Sequence, residues 1–136
     1  MKVVLDTNVF VSGVFFGGLP GRILSAWAGG AFELAISPAI LDDYVAVGHR
    51  LCAGNRERRE TYGTALELVI AHSTLATDAP FAEPVCEDRD DDKFLAVALA
   101  SGTRIVVSGD RALQRASGWS GILVLSPRQF IEQFLA

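Results

Sequence analysis

The chain has 136 residues, which is enough for one ordinary domain with a full core and too short for two. A net charge of −4 and a pI of about 5.1 argue against general, non-specific electrostatic binding of nucleic acid. Half of the residues are hydrophobic and the mean hydropathy is +0.32, which predicts apolar surface for a partner or for self-association. We therefore expect a single domain over residues 1–136 that forms a homo-oligomer, most simply a dimer.

The first ten residues, MKVVLDTNVF, place a charged Asp6 where a signal peptide has its apolar core. The apolar runs along the chain are far shorter than the roughly 20 residues that cross a bilayer. Cys52 and Cys86 lie far apart, without the spacing of a zinc site or a disulfide framework. These features predict a cytoplasmic protein whose thiols are reduced and structural.

Short apolar runs bounded by polar or turn residues predict the strands. In chain order they cover residues 2–6, 32–36, a weak run at 73–76, 104–108 and 122–125. Helical patterns lie between these runs, which is typical of parallel strands joined by crossover helices. The expected fold class is α/β, a three-layer α/β/α sandwich with a central parallel sheet of about five strands.

Serine followed by proline marks two helix starts, at Ser37-Pro38 and Ser126-Pro127, because serine caps a helix and proline fits its first turn. Apolar spacing predicts helices over 57–71 and 91–101 and a last helix over 127–135. The glycine-rich segment 17–21 lacks the ending of a phosphate-binding P-loop. It is therefore predicted to be a turn before a helix at 22–27.

Asp6 and Asp110 come directly after predicted buried strands, KVVL and RIVVSG. Open parallel sheets build their sites at the carboxyl ends of the strands, so both carboxylates are expected at one edge. Each also has a purely structural interpretation. Asp6 is suited to an Asx-turn with Thr7 and Asn8, and Asp110 to the N-cap of a short helix in DRALQRA.

Helical spacing adds Asp91 and Asp43 to this edge. Asp91 stands three and four residues before Phe94 and Leu95, on the face that packs on the sheet. Asp43 shares the apolar stripe of its helix, whereas Asp42 does not. Taken singly, Asp91 also fits a helix N-cap and Asp43 a surface acid. Four carboxylates at one place repel one another unless cations neutralise them, so together they predict a divalent metal site.

Further polar residues lie near these acids in the sequence. Asn8, Ser12 and Ser108 are candidates for holding a metal-bound water or orienting a carboxylate, and each also fits an ordinary cap. Arg89, Lys93 and Arg111 are the cations nearest to the acids in the sequence, and they are candidates for phosphate contacts. Solvated surface charge is the alternative for all three.

The segments MKVVLDTNVFVSGVFFGG, SPAILDDYVAV, EDRDDDKFLAVALASGTRIVVSGDRAL and ILVLSPRQFIEQFL together resemble the PIN-domain family. The similarity is closest to small stand-alone bacterial members regarded as toxins of type II toxin-antitoxin pairs. The resemblance implies an α/β/α sandwich and an RNA-cutting site that holds Mg²⁺ or Mn²⁺, one or two ions. By motif position its acids correspond to Asp6, Asp43, Asp91 and Asp110.

The second acid is usually glutamate in that family, and here it is the shorter Asp43. The expected function is nevertheless metal-dependent hydrolysis of RNA, with an antitoxin protein as a possible partner. The alternative is a degenerate PIN-like module that binds RNA or protein without cutting. Two other classes fit less well: a haloacid-dehalogenase-like phosphatase needs an acid where Asn8 stands, and a receiver-like domain needs a lysine after the last strand.

Overall fold

The computed structural model describes residues 1–77 and 79–135. Within them the strands are β1 (Lys2–Leu5), β2 (Glu33–Ile36), β3 (Thr74–Leu75), β4 (Ile105–Val107) and β5 (Leu123–Leu125). They form one sheet of five strands in the order β3-β2-β1-β4-β5. Every strand pair is parallel. The predicted parallel α/β architecture is therefore confirmed, with each strand one or two residues shorter than its apolar run.

The helices lie between the strands. They are α1 (Thr7–Phe15), α2 (Gly18–Ala28), α3 (Pro38–Cys52), α4 (Arg56–His72), α5 (Asp92–Ser101), α6 (Arg111–Gln114) and α7 (Pro127–Phe130). A 3₁₀ turn, Arg89–Asp91, leads into α5, and a π-helical segment, Ile131–Leu135, continues from α7. The sequence did not predict α1: the structural interpretation of Asp6 was an Asx-turn, and Asp6 instead caps this helix by accepting from the Val9 amide.

The helix starts follow the capping signals in the sequence. Ser37 accepts a hydrogen bond from the Ile40 amide at the start of α3, and Ser126 forms a capping box with Gln129 at the start of α7. Asp110 caps α6 by accepting from the Ala112 amide. These three predicted starts are confirmed because each depends only on residues within one helical turn.

Two tyrosines fasten the α3–α4 layer to the central strand. The Tyr44 hydroxyl donates to the carbonyl of Leu5 over 2.6 Å, and the Tyr62 hydroxyl donates to the carbonyl of Tyr44 over 2.6 Å. Phe10 of α1 stacks on the Tyr44 ring, with centroids 4.3 Å apart, and meets Tyr62 edge-on. Both hydroxyls are thus satisfied inside an apolar core, as buried tyrosines require.

The strand order places a topological switch point between β1 and β4. From β1 the chain proceeds to β2 on one side, and it returns later to form β4 on the other side. The register pairs Val4 with Val106 and Leu5 with Val107, so the two strands end level with each other. Crevices at such points are where open α/β sheets bind ligands.

No single helix in residues 1–77 and 79–135 is long and apolar enough to cross a membrane. Helices α1 and α2 reach that length and composition only when they are taken together, and they are bent by 90° relative to each other.

Candidate metal centre

Asp6 stands at the carboxyl end of β1 with 4% of its surface exposed. Its Oδ1 accepts from the Val9 amide over 2.8 Å, which caps α1, and its Oδ2 accepts from the Ser108 hydroxyl. The pKa of Asp6 is raised to about 6, mainly by burial; the hydrogen bonds from Ser108 and Val9 act in the opposite direction, and the Asp110 carboxylate adds a smaller upward effect. Two hydrogen bonds thus fix the position of the Asp6 carboxylate, but burial disfavours its ionised form.

Ser108 connects the acids at the ends of β1 and β4. It lies fully buried just after β4, and its Oγ accepts from the backbone amide of Asp110 over 3.0 Å while donating to Asp6. The Gln114 side chain donates to the Ser108 carbonyl over 2.7 Å. The predicted role of Ser108 in orienting a carboxylate is therefore supported by its contacts, and Asp110 itself is exposed.

Asp91 closes the 3₁₀ turn and stands at the N-terminus of α5, without a capping hydrogen bond from its side chain. Its Oδ2 is buried and has no hydrogen-bond partner. Burial is the largest cause that raises the pKa of Asp91 to about 6. Further causes are the negative charges of Asp88, Asp110 and Asp6, while the positive charge of Lys93 acts in the opposite direction. The mutual influence of these groups indicates that Asp91 lies close to the two strand-end acids.

Asp43 extends from α3 toward the same edge but is already engaged. Its Oδ2 accepts from the Thr7 hydroxyl over 2.9 Å and lies 2.8 Å from the Lys93 ammonium. The neighbouring Asp42 is exposed, as helical spacing predicted. Asp43 therefore already has a cationic partner within the protein, the ammonium of Lys93.

The acid-rich segment 87–92 divides into residues of different character. Asp88 caps the 3₁₀ turn, and Glu87 pairs with Arg115 at the surface. Asp92, the first residue of α5, is buried and accepts from the amides of Val85 and Cys86. Asp92 thus anchors the loop before α5.

Other predicted residues are less closely connected. Asn8 is exposed and Ser12 half-buried, and within the described chain no hydrogen bond joins either of them to the four acids. Arg89 and Arg111 are exposed beside Asp91 and Asp110 in the sequence. Their proposed contacts with RNA remain predictions.

Sequence reasoning missed Thr7, Tyr44 and Gln114 as supports of the site. Thr7 holds Asp43, and Tyr44 holds the backbone of Leu5, directly before Asp6. Burial is the main reason that the pKa of Tyr44 lies well above its usual value, so this hydroxyl remains a donor. The adjacency of Thr7 to Asp6 and of Tyr44 to Asp43 was visible in the sequence, but their partners are more than 30 residues away.

A cavity of about 570 Å³ lies at the start of α5, and its described lining includes Asp90 and Asp92 but none of the four candidate acids. Lys93, which contacts Asp43, forms part of its wall together with Arg89. The remaining wall is mostly small or apolar, and it consists of Ala39, Ala79, Pro80, Phe81, Asp90, Asp92 and Ala96. Its volume falls within the range of roughly 300 to 1,000 Å³ that small-ligand sites occupy.

The donor set is suited to a hard divalent cation, because Mg²⁺ and Mn²⁺ prefer carboxylate oxygens. The buried Oδ2 of Asp91, which lacks a partner, is an oxygen of this kind. In the part of the chain that the structure describes, no group of three or more His, Cys, Asp or Glu side chains is already arranged around an ion position. Oδ2 of Asp6 and Oδ2 of Asp43 are directed to protein donors instead. The chemistry of Asp6, Asp91 and Asp110 fits the ion, whereas Asp43 is occupied by Lys93.

A PIN domain family model matches residues 2–112, and the chain therefore belongs to the PIN-domain family. An uncharacterized protein of Methanocaldococcus jannaschii, MJ1680, is 32% identical over 156 residues, covering 98% of this chain and 92% of that protein. The family resemblance inferred from the sequence is confirmed.

Solved structures share the fold at low sequence identity. PAE2754 from Pyrobaculum aerophilum has a TM-score of 0.68 at 15% identity, covering 99% of this chain and 90% of its own. VapBC2 from Rickettsia felis, bound to a DNA fragment from their promoter, has a TM-score of 0.59 at 13% identity, covering 93% and 98%. FitAcB from Neisseria gonorrhoeae has a TM-score of 0.55 at 20% identity, covering 93% and 98%.

Proposed function

We propose that this protein is a metal-dependent endoribonuclease, formed as a single PIN-like domain, that hydrolyses RNA phosphodiester bonds. The observation that carries the proposal is the electrostatic influence that Asp6, Asp91 and Asp110 have on one another beside the β1–β4 switch point. There, the pKa of Asp6 and that of Asp91 are raised mainly by burial and further by neighbouring carboxylates, and one buried carboxylate oxygen has no partner. Such a concentration of negative charge is costly unless a cation joins it.

In this proposal Asp6, Asp91 and Asp110 hold Mg²⁺ or Mn²⁺, while Asp43 stays paired with Lys93 beside them. When bound, the ion supplies a water of lowered pKa and neutralises negative charge on the RNA phosphate. No covalent nucleophile from the protein is required.

The remaining residues position these groups. Ser108 fixes the orientation of Asp6 through its hydroxyl, and Thr7 fixes that of Asp43. Arg89 and Arg111 are exposed cations that are free to approach the phosphates on either side of the cut. The cavity beside Lys93 and Arg89 offers room for a nucleotide.

The test is cleavage of varied RNAs by the purified protein in Mg²⁺, Mn²⁺ or EDTA. We expect cleavage only with a divalent cation, and a loss of at least about 100-fold in Asp6→Asn and in Asp91→Asn. Asp42→Asn is the matched control, because it makes the same change on an exposed neighbour of Asp43.

Cleavage that survives EDTA, or equal cleavage by the Asp91→Asn variant, would rule out the metal nuclease. The Asp43–Lys93 ion pair favours one alternative, a PIN-like module that binds RNA or protein without cutting. Weak Mn²⁺ binding together with no cleavage of any RNA would support that module.

We further propose that the chain is the toxin of a type II toxin-antitoxin pair, acting in the cytoplasm and forming a homodimer. Its support is the sequence resemblance to such toxins and a fold shared with VapBC2 and FitAcB. Exposed apolar side chains such as Phe16, Ile70 and Leu75 offer surface for a protein partner or a second copy. Induced expression should arrest growth, and a small neighbouring gene should relieve the arrest. Normal growth at high expression would contradict this role.

A further inference from the structure

Lys93 forms an ion pair with Asp43 and lies near enough to Asp91 to influence its charge. Its Nζ lies 2.8 Å from Oδ2 of Asp43, and its side chain is only 21% exposed. The same oxygen also accepts from the Thr7 hydroxyl over 2.9 Å. Two donors therefore occupy Oδ2 of Asp43, whose side chain is 38% exposed, and a metal ion that took this oxygen would have to displace the ammonium.

The position of Lys93 is set by more than this ion pair. It lies in the first turn of α5, two residues after Asp91, and its ammonium stands 5.5 Å from the centroid of the Phe94 ring. Lys93 also attracts the Asp91 carboxylate, since its charge partly offsets the effect of burial on that group. One ammonium thus interacts with acids from two different helices.

The four acids therefore differ in their capacity to coordinate a metal ion. Asp91 retains a buried oxygen without a partner, and Asp110 is exposed, so both have coordination capacity. The remaining negative charge of Asp43 is largely balanced by Lys93. A second divalent ion that depended on Asp43 would meet the like charge of the ammonium at close range.

We propose that Lys93 is a built-in counter-cation that removes Asp43 from the ligand set. The site then binds one divalent cation, on Asp6, Asp91 and Asp110, rather than two. Lys93 acts as a positioning residue that holds α3 and α5 together at the site. This inference rests on the metal site in the proposed function and adds its stoichiometry.

Calorimetric titration of the purified protein with Mn²⁺ tests the inference without any RNA. We expect one ion per chain in the wild type, in Asp43→Asn and in Lys93→Arg. Asp91→Asn should weaken Mn²⁺ binding by at least about tenfold. Lys93→Met removes the charge while retaining most of the side-chain length, and it should allow a second ion to bind at Asp43.

Two ions in the wild type would overturn the inference while leaving the metal site intact. A single ion in Lys93→Met, or a loss in Asp43→Asn as large as that in Asp91→Asn, would also overturn it. If Lys93→Met does not fold, as judged by circular dichroism, comparing the Mn²⁺ affinities of Asp43→Asn and Asp91→Asn still shows whether Asp43 is a metal ligand. No Mn²⁺ binding by the wild type would instead refute the proposed function.

Discussion

Asp91 carries an electrostatic cost that the metal-free protein cannot relieve by hydrogen bonding. Its Oδ2 is buried without a partner, and burial together with neighbouring carboxylates raises the pKa of Asp91 to about 6. A carboxyl group with a raised folded-state pKa binds protons more tightly in the folded protein than in the unfolded chain. Its protonation therefore stabilises the fold fully below pH 3.8, and this contribution is lost as the pH rises through about 6.

The free energy of unfolding of the metal-free protein should consequently fall between pH 5 and pH 7. Asp91→Asn should reduce that fall and stabilise the protein at pH 7 by about 1 kcal/mol, allowing for solvent screening of a partly exposed group. Urea unfolding in EDTA at the two pH values measures both effects. Asp42→Asn should retain the wild-type pH dependence, and an Asp91→Asn variant that also retains it would contradict this explanation.

At the scale of elements, α3 packs tightly against α4 at Gly48. A Cβ atom added there would overlap the Tyr62 ring, whose hydroxyl bonds to the carbonyl of Tyr44. The glycine is thus required by close packing and not by an unusual backbone angle. This contact matters for the site, because Tyr44 and Asp43 are adjacent on α3.

Gly48→Ala should lower the free energy of unfolding by about 1 to 3 kcal/mol, because the overlap must be relieved by moving α4. Gly63→Ala is the matched control within α4, where an added Cβ meets no atom within 4 Å. It should stabilise the protein by about 0.5 to 1 kcal/mol, since alanine restricts the unfolded chain. Urea unfolding of both variants checks the pair, and equal effects of the same sign would refute this account of α3–α4 packing.

The start of α5 contributes to the site and to the adjoining cavity at once. Ala96 lines the cavity with 7% of its surface exposed, whereas Ala100, one turn later, is exposed. If a nucleotide of the RNA lies in this cavity, a larger side chain at position 96 excludes it.

Ala96→Leu should raise the KM for RNA cleavage by about tenfold, or 1.4 kcal/mol, with little change in kcat. Ala100→Leu makes the same change outside the cavity and should leave both constants unchanged. Steady-state cleavage kinetics in Mg²⁺ measure KM and kcat for both variants. An unchanged KM in Ala96→Leu, with Mn²⁺ binding and folding intact, would place the RNA elsewhere.

At the scale of the whole molecule, folding gathers acids that are far apart along the chain. Asp6 and Asp110 are brought together across the β1–β4 pair, while the overall charge is only −4. The unfolded chain separates these carboxylates, so a divalent cation should bind the folded state preferentially.

Mn²⁺ at about 100 times its dissociation constant should therefore stabilise the protein by about 2.7 kcal/mol. A thermal unfolding series with Mn²⁺, followed by reversal with EDTA, measures this linkage. Asp6→Asn should respond much less. A midpoint that does not change with Mn²⁺ in the wild type would indicate that folding does not assemble a metal site.

The sequence predicted the parts of the fold that depend on neighbouring residues. Alternation of apolar runs with helical patterns indicated the parallel sheet, and the signals at Ser37, Ser126 and Asp110 marked helix starts correctly. Spacing along one helix also distinguished Asp43 from Asp42. It could not show that Asp92 bonds to the amides of Val85 and Cys86, because that bond depends on the loop conformation.

By itself, then, the sequence determined the fold class and the family, since these follow from short-range periodicity, strand ends and local motifs. Only the tertiary structure decided which hydrogen-bond and ion-pair partners each carboxylate has. Ser108 reaches Asp6 across 102 residues, and Lys93 reaches Asp43 from a different helix. Such partners are set by how the layers pack, which no local pattern records. That packing leaves a buried oxygen of Asp91 without a partner and pairs Asp43 with Lys93.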